Sequence, residues 1–321
     1  MALPTQVITS TLFDQSKEFA DNVMNSNAIL SQIEKKSVPG GYEYREPVFF
    51  QDSGNEAWID GLDPIATTIT DDLTYAVAQQ KTLATSIGIS GKEYRQNKSS
   101  KHQLIDLMES KIKAAQTRLK NDMVASIYSD GTGSAGKELD GLQKLIAKAP
   151  GSATVQGIDD SANAFWKNSF VDIGAASSTS NIQAKLTAAI VAVTRGSERP
   201  DFGVADNTLW INLHDSMTAN QRIVDEKKFG KQGFQNLVYM GVPIVLDGGV
   251  GNQAASATNS ISDICYLINS KYLKLKYHPD AYFKPLGQRE PVNQDAMFEI
   301  LLFEGNLCVS NRELQSVVFG S

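Results

Sequence analysis

The sequence contains few residues of the kinds that most often perform catalysis or bind metals. It has two cysteines and three histidines in 321 residues. Cys265 and Cys308 each lie among apolar neighbours, which predicts small buried side chains in preference to a disulfide. The histidines, His102, His214 and His278, lack the i, i+3 or i, i+4 spacing of a helical metal site. We therefore expect no catalytic, cofactor-binding or metal-binding residues in this chain.

The chain also lacks a long apolar segment. No run approaches the roughly 20 residues that a membrane-spanning helix needs. Residues 1–15 carry neither the basic leader nor the apolar stretch of a secretory signal. These absences predict a protein that has no membrane partner and that is made and retained in the cytoplasm.

Basic residues are too few for a broad nucleic-acid face. The chain carries 30 Lys and Arg against 36 Asp and Glu, a net charge of -6, whereas phosphate-binding faces are built from clustered Lys and Arg. The charge is uneven: residues 41–97 hold nine acids and four bases, and residues 271–289 hold five bases and one acid. Opposite patches favour a defined orientation between subunits. We hypothesise that the acidic residues Asp52, Glu56, Asp60 and Asp63 meet basic residues of another copy, namely Lys271, Lys274, Lys276, Lys284, Arg289 or the pair Lys227 and Lys228.

The chain is long enough to hold two lobes, because single cores stop growing near 250–300 residues. Helical and extended patterns follow each other without regular alternation, which favours the α+β class over a doubly wound sheet. The predicted helices are residues 11–35, 99–129, 139–149 and 182–194, with another beginning at Asp215. The predicted strands are residues 208–213, 242–246, 264–268, 297–303 and 307–309, and the predicted loops are residues 168–180 and 251–262.

Residues 41–97 alternate like strands but do not build a core pattern. Two parts of the segment keep period two, and the span between them is acidic and rich in turn residues. The alternating residues are Tyr42, Tyr44, Val48 and Phe50 in the first part and Leu83, Thr85, Ile87 and Ile89 in the second. This pattern predicts a long hairpin without a partner in its own chain. Because two-stranded ribbons are marginal alone in water, we expect it to lie on another copy of the protein.

A long helix follows this hairpin at residues 99–129. Its apolar residues step by four or three positions and form one stripe along about 45 Å, at 1.5 Å of rise per residue. The stripe consists of Leu104, Met108, Ile112, Ala115, Leu119, Met123 and Ile127.

One motif resembles a nucleotide-binding loop. Residues 131–138, GTGSAGKE, fit G-x-G-x-x-G and also fit the phosphate-loop pattern up to its last position. Glu138 stands where a phosphate loop has Ser or Thr, and the segment follows a predicted helix instead of a strand. We therefore interpret the motif as a flexible connector. The acidic pairs at residues 71–72 and 159–160 are typical of turns and caps. A Ser-His-Asp triad depends on spatial contacts that the sequence does not give, so an enzyme with an unrecognised site stays open.

A series of segments carries a family resemblance. In the last third these are FGKQGFQNL at residues 229–237, MGVPIVLD at 240–247, YLINSKYLKL at 266–275, PVNQDA at 291–296, GNL at 305–307 and SNRELQ at 310–315. Earlier ones are DGL at residues 140–142 and GID at 157–159. Together they resemble the major capsid proteins of tailed bacteriophages. The resemblance covers most of the chain in order, which makes it more specific than any single motif.

The resemblance implies the Hong Kong 97-like capsid fold. Its parts would be an N-terminal arm at residues 1–40, an extended β-hairpin loop at 41–98, a peripheral domain at 99–182 with the spine helix at 99–129, an axial domain at 183–285, and a return through the peripheral domain at 286–321. The family therefore accounts for a hairpin without a partner beside a long helix.

The resemblance also implies a function. The chain would be a structural protein, not an enzyme, that assembles with itself into pentamers and hexamers and closes an icosahedral shell around double-stranded DNA without sequence-specific binding. It would be assembled in the host cytoplasm and reside in the virion. Because the chain begins at Met1 just before its arm, a separate scaffolding protein is expected, together with a portal and, in some capsids, a decoration protein. The alternatives are an encapsulin-like nanocompartment shell and a soluble α+β enzyme.

Overall fold

The computed structural model describes residues 28–51, 54–64, 67–97, 101–217, 235–247, 263–287, 289–291 and 293–320. The helices are α1 (Ala28–Gln32), α2 (Gly91–Asn97), α3 (Lys101–Tyr128), α4 (Gly133–Gly136), α5 (Leu142–Leu145), α6 (Ile182–Ala192) and α7 (Asn207–Ser216). The strands are β1 (Glu34–Ser37), β2 (Glu43–Phe49), β3 (Leu73–Gln79), β4 (Lys81–Ser90), β5 (Thr154–Val155), β6 (Ile158–Asp159), β7 (Ser169–Asp172), β8 (Phe202–Ala205), β9 (Asn236–Tyr239), β10 (Val242–Leu246), β11 (Ile264–Ile268), β12 (Leu273–Pro285), β13 (Ala296–Val309) and β14 (Ser316–Phe319).

A four-stranded sheet and the long helix α3 form one part of the molecule. The sheet has the order β1-β12-β13-β4, in which β12, β13 and β4 are antiparallel neighbours and β1 runs parallel to β12. Helix α3 packs against β4. Among its described side chains, buried ones recur at every fourth residue, at Ala115, Leu119, Met123 and Ile127, and Tyr128 at its end is also buried. The predicted helix and its stripe are confirmed over this stretch, and the side chains of Leu104, Met108 and Ile112 lie outside the described ones.

A six-stranded sheet forms the other part. Its order is β7-β14-β11-β8-β10-β9, with both parallel and antiparallel neighbours. Every residue of β8 and β11 is buried, so both faces of the sheet are covered. Helix α6 packs against β7 and β14, and α7 packs against β10 and β11. This mixture of helices and sheets confirms the predicted α+β class.

The two sheets share one continuous apolar core. Tyr128 at the end of α3 and Leu301 of β13 belong to the same buried cluster as Val204 and Tyr266 of the six-stranded sheet. The Tyr128 hydroxyl also donates a hydrogen bond of 2.7 Å to the Asp247 carboxylate after β10. The parts predicted as two lobes are therefore joined by packing as well as by the chain.

The hairpin was predicted with the wrong second strand. Strand β2 pairs with β3, from Glu43 opposite Gln79 to Phe49 opposite Leu73. The predicted second strand, residues 83–89, lies in β4 and pairs with β13 of the four-stranded sheet. Strand β3 therefore lies within the span predicted to be acidic and rich in turn residues, directly after Asp71 and Asp72. We refer to the pair β2–β3 as the ribbon.

The segment predicted as a strand at residues 208–213 is helical and belongs to α7. Asp206 lies just before this helix, and its carboxylate accepts a hydrogen bond of 3.1 Å from the Leu209 amide. This N-terminal cap favours a helix. Leu209 and Leu213 are both buried, and their four-residue spacing places them on one helical face. Asp215 lies in the last turn of α7 and begins no new helix.

Other predicted elements differ in their bounds. Helix α1 ends at Gln32 and is followed by β1, so the predicted helix 11–35 is too long at its end; its residues 11–27 lie outside the described ones. The predicted helix 139–149 is reduced to α5, and β7 lies within the predicted loop 168–180. The strands predicted at 297–303 and 307–309 are the single strand β13. The strands predicted at 242–246 and 264–268 and the helix at 182–194 are confirmed.

The sheets divide the chain differently from the predicted segments. Strand β12 was assigned to the axial segment but lies in the sheet that packs with α3. Strand β14 was assigned to the peripheral return but pairs with β11 in the six-stranded sheet. The chain thus passes between the two sheets after β11 and again after β13.

Candidate assembly surface

The ribbon has apolar side chains on both faces. Its inward face carries Tyr44, Val48, Ala76 and Ala78, all buried against the body of the subunit. Tyr44 and Ala78 pack with Cys308 of β13 in a small apolar cluster. The prediction that the hairpin has no partner within its own chain is therefore wrong for its inward face.

The outward face of the ribbon is apolar and exposed in the half nearest the loop, whereas its other half carries the Arg45–Glu43 ion pair. Pro47 stands opposite Tyr75, and Phe49 stands opposite Leu73. Phe49 is 77% exposed and Tyr75 is 54% exposed. Directly opposed side chains on one face of an antiparallel pair contact each other, so these residues form a continuous apolar strip in water. In the sequence, the alternation of Leu73, Tyr75 and Val77 indicates this strip. The prediction of the hairpin did not include it.

Beyond the ribbon, the loop carries the largest exposed apolar groups. Trp58 and Leu62 are fully exposed, Ile59 is about half exposed at 47%, and Ile69 is 97% exposed. In the sequence, Trp58, Ile59 and Leu62 are apolar residues in an acidic tip, which predicts that they have no local partner, and the structure shows them exposed. Large apolar patches on a protein surface mark sites of interaction. The strip and these residues together are called the assembly surface below.

The described part of the loop keeps a defined local structure although its residues are mostly exposed. The Asn55 side-chain amide donates a hydrogen bond of 2.7 Å to the Thr68 carbonyl, and its oxygen accepts one of 3.3 Å from the Thr68 amide. Asp63 accepts a hydrogen bond of 3.0 Å from the Asp60 amide across the turn. Glu56 is also exposed here. The acidic character predicted for the tip is thus present at three of its four residues, and Asp52 lies outside the described ones.

The basic segment 271–289 is largely neutralised within its own chain. Four of its five bases pair with carboxylates: Lys271 with Glu198, Lys274 with Glu34 at 3.6 Å, Lys276 with Glu46 at 2.8 Å, and Lys284 with Asp280 at 3.6 Å. The hydrogen bond from Lys271 lowers the pKa of Glu198. Arg289 is exposed and has no ion pair among the described residues. Of the predicted partners for the acidic tip, Arg289 is therefore the best placed, while Lys227 and Lys228 lie outside the described residues.

The motifs that resemble catalytic or nucleotide-binding ones are not brought together within the described residues. The segment 131–138 follows helix α3, and Ser134 and Ala135 adopt left-handed φ angles of 50° and 59°. Asp159 accepts hydrogen bonds from Ser161, whereas Asp160 is buried beside Arg312. The described residues contain no cluster of three or more metal-binding side chains.

The remaining candidate side chains do not converge. The His214 ring stacks on Trp210 with centroids 5.5 Å apart, and the side chain of His102 lies outside the described ones. Burial raises the pKa of Cys308 to about 12, the opposite of an activated thiol. Among the described helices, none combines the length and the apolar composition needed to cross a membrane.

Comparison with known proteins identifies the fold. No protein-family model matches the chain. No curated protein matches it in sequence. Solved structures do match: the capsid of cyanophage A-1(L) has 13% identity and a TM-score of 0.64, covering 94% of this chain and 92% of that one.

Two further capsid structures agree with this match. The capsid of a native GTA particle has 12% identity and a TM-score of 0.62, covering 92% of this chain and 91% of that one. A structure of Mycobacterium phage Ogopogo has 10% identity and a TM-score of 0.56, covering 92% of each chain. At such low identity the likeness establishes the fold, and it spans nearly the whole chain.

Proposed function

We propose that this chain, which has the Hong Kong 97-like capsid fold, is the major capsid protein of a tailed bacteriophage. The observation that carries the proposal is the assembly surface, because a subunit of this fold exposes Trp58, Leu62 and Phe49 to water. These exposed side chains do not stabilise an isolated subunit, because they are not buried in it. A repeated contact between copies would bury them. The role is structural, and no catalytic step is proposed.

The physical basis of assembly is the repeated burial of small apolar contacts. Full burial of a Leu side chain contributes about 1.5–3 kcal/mol, so Leu62 and Trp58 together give a contact of moderate strength. Each subunit both offers its assembly surface and receives that of a neighbour. Linked contacts of this kind reinforce each other, and closure of the shell leaves no unsatisfied copy.

We propose that the described parts correspond to the domains of this fold. The peripheral domain would comprise α3 and the four-stranded sheet, and the axial domain would comprise the six-stranded sheet with α6 and α7. The extended loop would be the ribbon with the segment between its strands. The segment limits 1–40, 41–98, 99–182, 183–285 and 286–321 remain proposals, with β1, β4 and β12 moved to the peripheral domain and β7 and β14 moved to the axial domain.

The proposed partners are copies of the same chain, arranged as pentamers and hexamers around double-stranded DNA. The net charge of -6 supports a shell that does not bind the enclosed DNA tightly. We also propose a separate scaffolding protein, a portal and a decoration protein. One matching structure is described as a satellite phage P4 procapsid including a size determination protein, which supports the idea that shells of this fold form with additional factors. The proposed location is the virion after assembly in the host cytoplasm.

Replacement of Trp58 tests the proposal. Trp58→Ser should leave the free energy of unfolding of the subunit nearly unchanged, because the side chain is fully exposed, and should reduce the yield of shells in velocity sedimentation. The control Trp58→Phe keeps an aromatic apolar group and should assemble normally. A normal shell yield from Trp58→Ser would contradict the proposed role of the tip.

A further inference from the structure

A buried ion pair joins the ribbon to the body of the subunit. Lys276 of β12 lies 2.8 Å from Glu46 of β2, and their side chains are only 6% and 9% exposed. The Lys276 ammonium also donates a hydrogen bond of 2.7 Å to the Arg45 carbonyl. Glu46 Oε1 receives no well-aligned hydrogen bond within the described structure. The carboxylate is therefore held mainly by the opposite charge, in a place that water hardly reaches.

One side-chain amide and one backbone carbonyl of the body hold the other strand of the ribbon. The side-chain amide of Asn306 in β13 donates a hydrogen bond of 2.8 Å to the Gln79 carbonyl, and the Val77 backbone amide donates one of 2.7 Å to the backbone carbonyl of Gln156. The Gln156 side chain in turn bonds β13, donating to the Leu307 carbonyl at 2.8 Å. Both Asn306 and Gln156 are buried. Strand β3 is thus tied to β13 through groups that are fixed on the body.

In the described part of the segment between the strands, at residues 54–64 and 67–72, we find no such hydrogen bonds to the body. The hydrogen bonds of Asn55 and Asp60 are made to Thr68 and Asp63, within the same loop. The last described contact with the body is the Phe50 ring, whose centroid lies 5.6 Å from that of Phe165. The structure therefore separates a fixed root, formed by β2 and β3, from a distal segment beyond Phe50.

We propose that Glu46, Lys276, Asn306 and Gln156 act as a lock that sets the direction of the ribbon in the isolated subunit. Conformational adaptation is then confined, among the described residues, to the part of the loop beyond Phe50 at residues 54–64 and 67–72. As a consequence, one chain can present the same rigid ribbon in pentamers and hexamers while its tip adjusts to each neighbour. That consequence rests on the proposed function, whereas the lock is a property of the unassembled subunit.

Amide hydrogen exchange of the unassembled full-length chain tests the lock. The concentration is kept where light scattering detects no assembly. In the unmodified protein, peptides from β2 and β3 should exchange as slowly as those from β13, and peptides from residues 54–64 should exchange fast. Equal exchange in the ribbon and in residues 54–64 would overturn the proposal.

Two variants and a control attribute this protection to the ion pair. Loss of one partner of a buried pair leaves an uncompensated charge, so Lys276→Met should accelerate exchange in β2 and β3 at least about tenfold. Glu46→Gln keeps the shape of the side chain and should also accelerate amide exchange in the ribbon. In Glu46→Gln, amide exchange in β11 of the six-stranded sheet should not change, because the body stays folded. This variant therefore tests the lock even if Lys276→Met unfolds the whole chain.

The matched control is Lys284→Met, which removes an exposed ion pair from the same strand β12. It should leave exchange in the ribbon unchanged. The lock would be overturned if amide exchange in β2 and β3 were unchanged in Glu46→Gln. It would also be overturned if Lys284→Met accelerated that exchange as much as Glu46→Gln does. The readout does not involve shells, so its failure is distinguishable from a failure of the proposed capsid function.

Discussion

At the scale of single residues, one buried arginine holds several segments together. Arg312 is fully buried and donates hydrogen bonds of 2.8 Å to the carbonyls of Leu145 and Trp166 and one of 3.1 Å to the side chain of Asn168. Its charge faces the buried Asp160 carboxylate at 3.4 Å. Arg312 thus holds together the segments around Leu145, Asp160 and Trp166.

Arg312→Met should therefore destabilise the subunit. The substitution leaves Asp160 buried without its cation, which costs about 3–5 kcal/mol of unfolding free energy. Arg195→Met is the matched control, because the Arg195–Glu313 pair is exposed and should contribute less than about 1 kcal/mol. Urea denaturation monitored by circular dichroism measures both. Equal losses in the two variants would contradict the structural role of Arg312.

The two cysteines should be unreactive while the protein is folded. Burial raises the pKa of Cys265 far above its ordinary value and that of Cys308 to about 12. Thiol reagents should label neither residue in the native unassembled subunit at pH 8 and both after denaturation. Stoichiometric labelling of the native subunit would contradict the described burial.

The raised pKa values of Cys265 and Cys308 make the free energy of unfolding depend on pH. Unfolded thiols lose their protons near pH 8.5, whereas the folded thiols keep theirs. The unfolded state then binds fewer protons, so stability should fall as pH rises above about 8.5. Urea titrations at pH 7.5 and 9.5, with Cys265→Ala and Cys308→Ala as references, measure this contribution.

At the scale of elements, the spine helix α3 supports the four-stranded sheet through its buried stripe. Leu119 is 1% exposed. Leu119→Asp would bury an uncompensated charge and should unfold the subunit. Ala114→Asp, at an exposed position of the same helix, should be tolerated. Thermal denaturation distinguishes them, and a cooperative transition of Leu119→Asp at the unmodified midpoint would contradict the packing.

Sequence reasoning succeeded where one periodicity dominated a segment. The four-residue spacing from Ala115 to Ile127 identified α3, and continuous apolar runs identified β10 and β11. It failed where local patterns compete: the run 208–213 contains strand-forming residues, but the Asp206 cap and the spacing of Leu209 and Leu213 make it helical. Pairing over long distances, such as β4 with β13, also cannot be read from alternation alone.

The candidate site was predicted in part for a similar reason. Exposure of Trp58, Ile59 and Leu62 followed from apolar residues placed among acids and turns. The outward strip at Phe49 and Tyr75 was missed because the second strand of the ribbon was placed at residues 83–89. The ion pairs of the basic segment depend on strands that are distant in sequence, so its neutralisation was not foreseen.

At the scale of the whole molecule, charge should influence how copies meet. Asp60 and Asp63 are exposed on the tip, where single ion pairs contribute only about 0–1 kcal/mol and are screened beyond about 8 Å at physiological salt. Repetition over a shell multiplies this effect. Asp60→Lys/Asp63→Lys should therefore slow assembly and alter its salt dependence, while leaving subunit stability nearly unchanged.

Light scattering during assembly at several salt concentrations measures this effect. The control Asp122→Lys/Asp215→Lys makes the same change in net charge at exposed positions outside the tip and not adjacent to Arg289. It should respond to salt like the unmodified chain. An identical salt response of the tip variant and the unmodified chain would mean that the acidic tip is only a solvated surface.

Electron microscopy of the assembled chain tests the central claim most directly. The full-length chain is expressed with its candidate scaffolding partner or alone, purified, and imaged, and the contents of the particles are analysed. The account predicts closed icosahedral shells built from pentamers and hexamers, with the ribbon of each subunit lying on a neighbour, and DNA in particles from infected cells. Shells that enclose a protein cargo in place of DNA, or a stable monomer at every concentration, would contradict it.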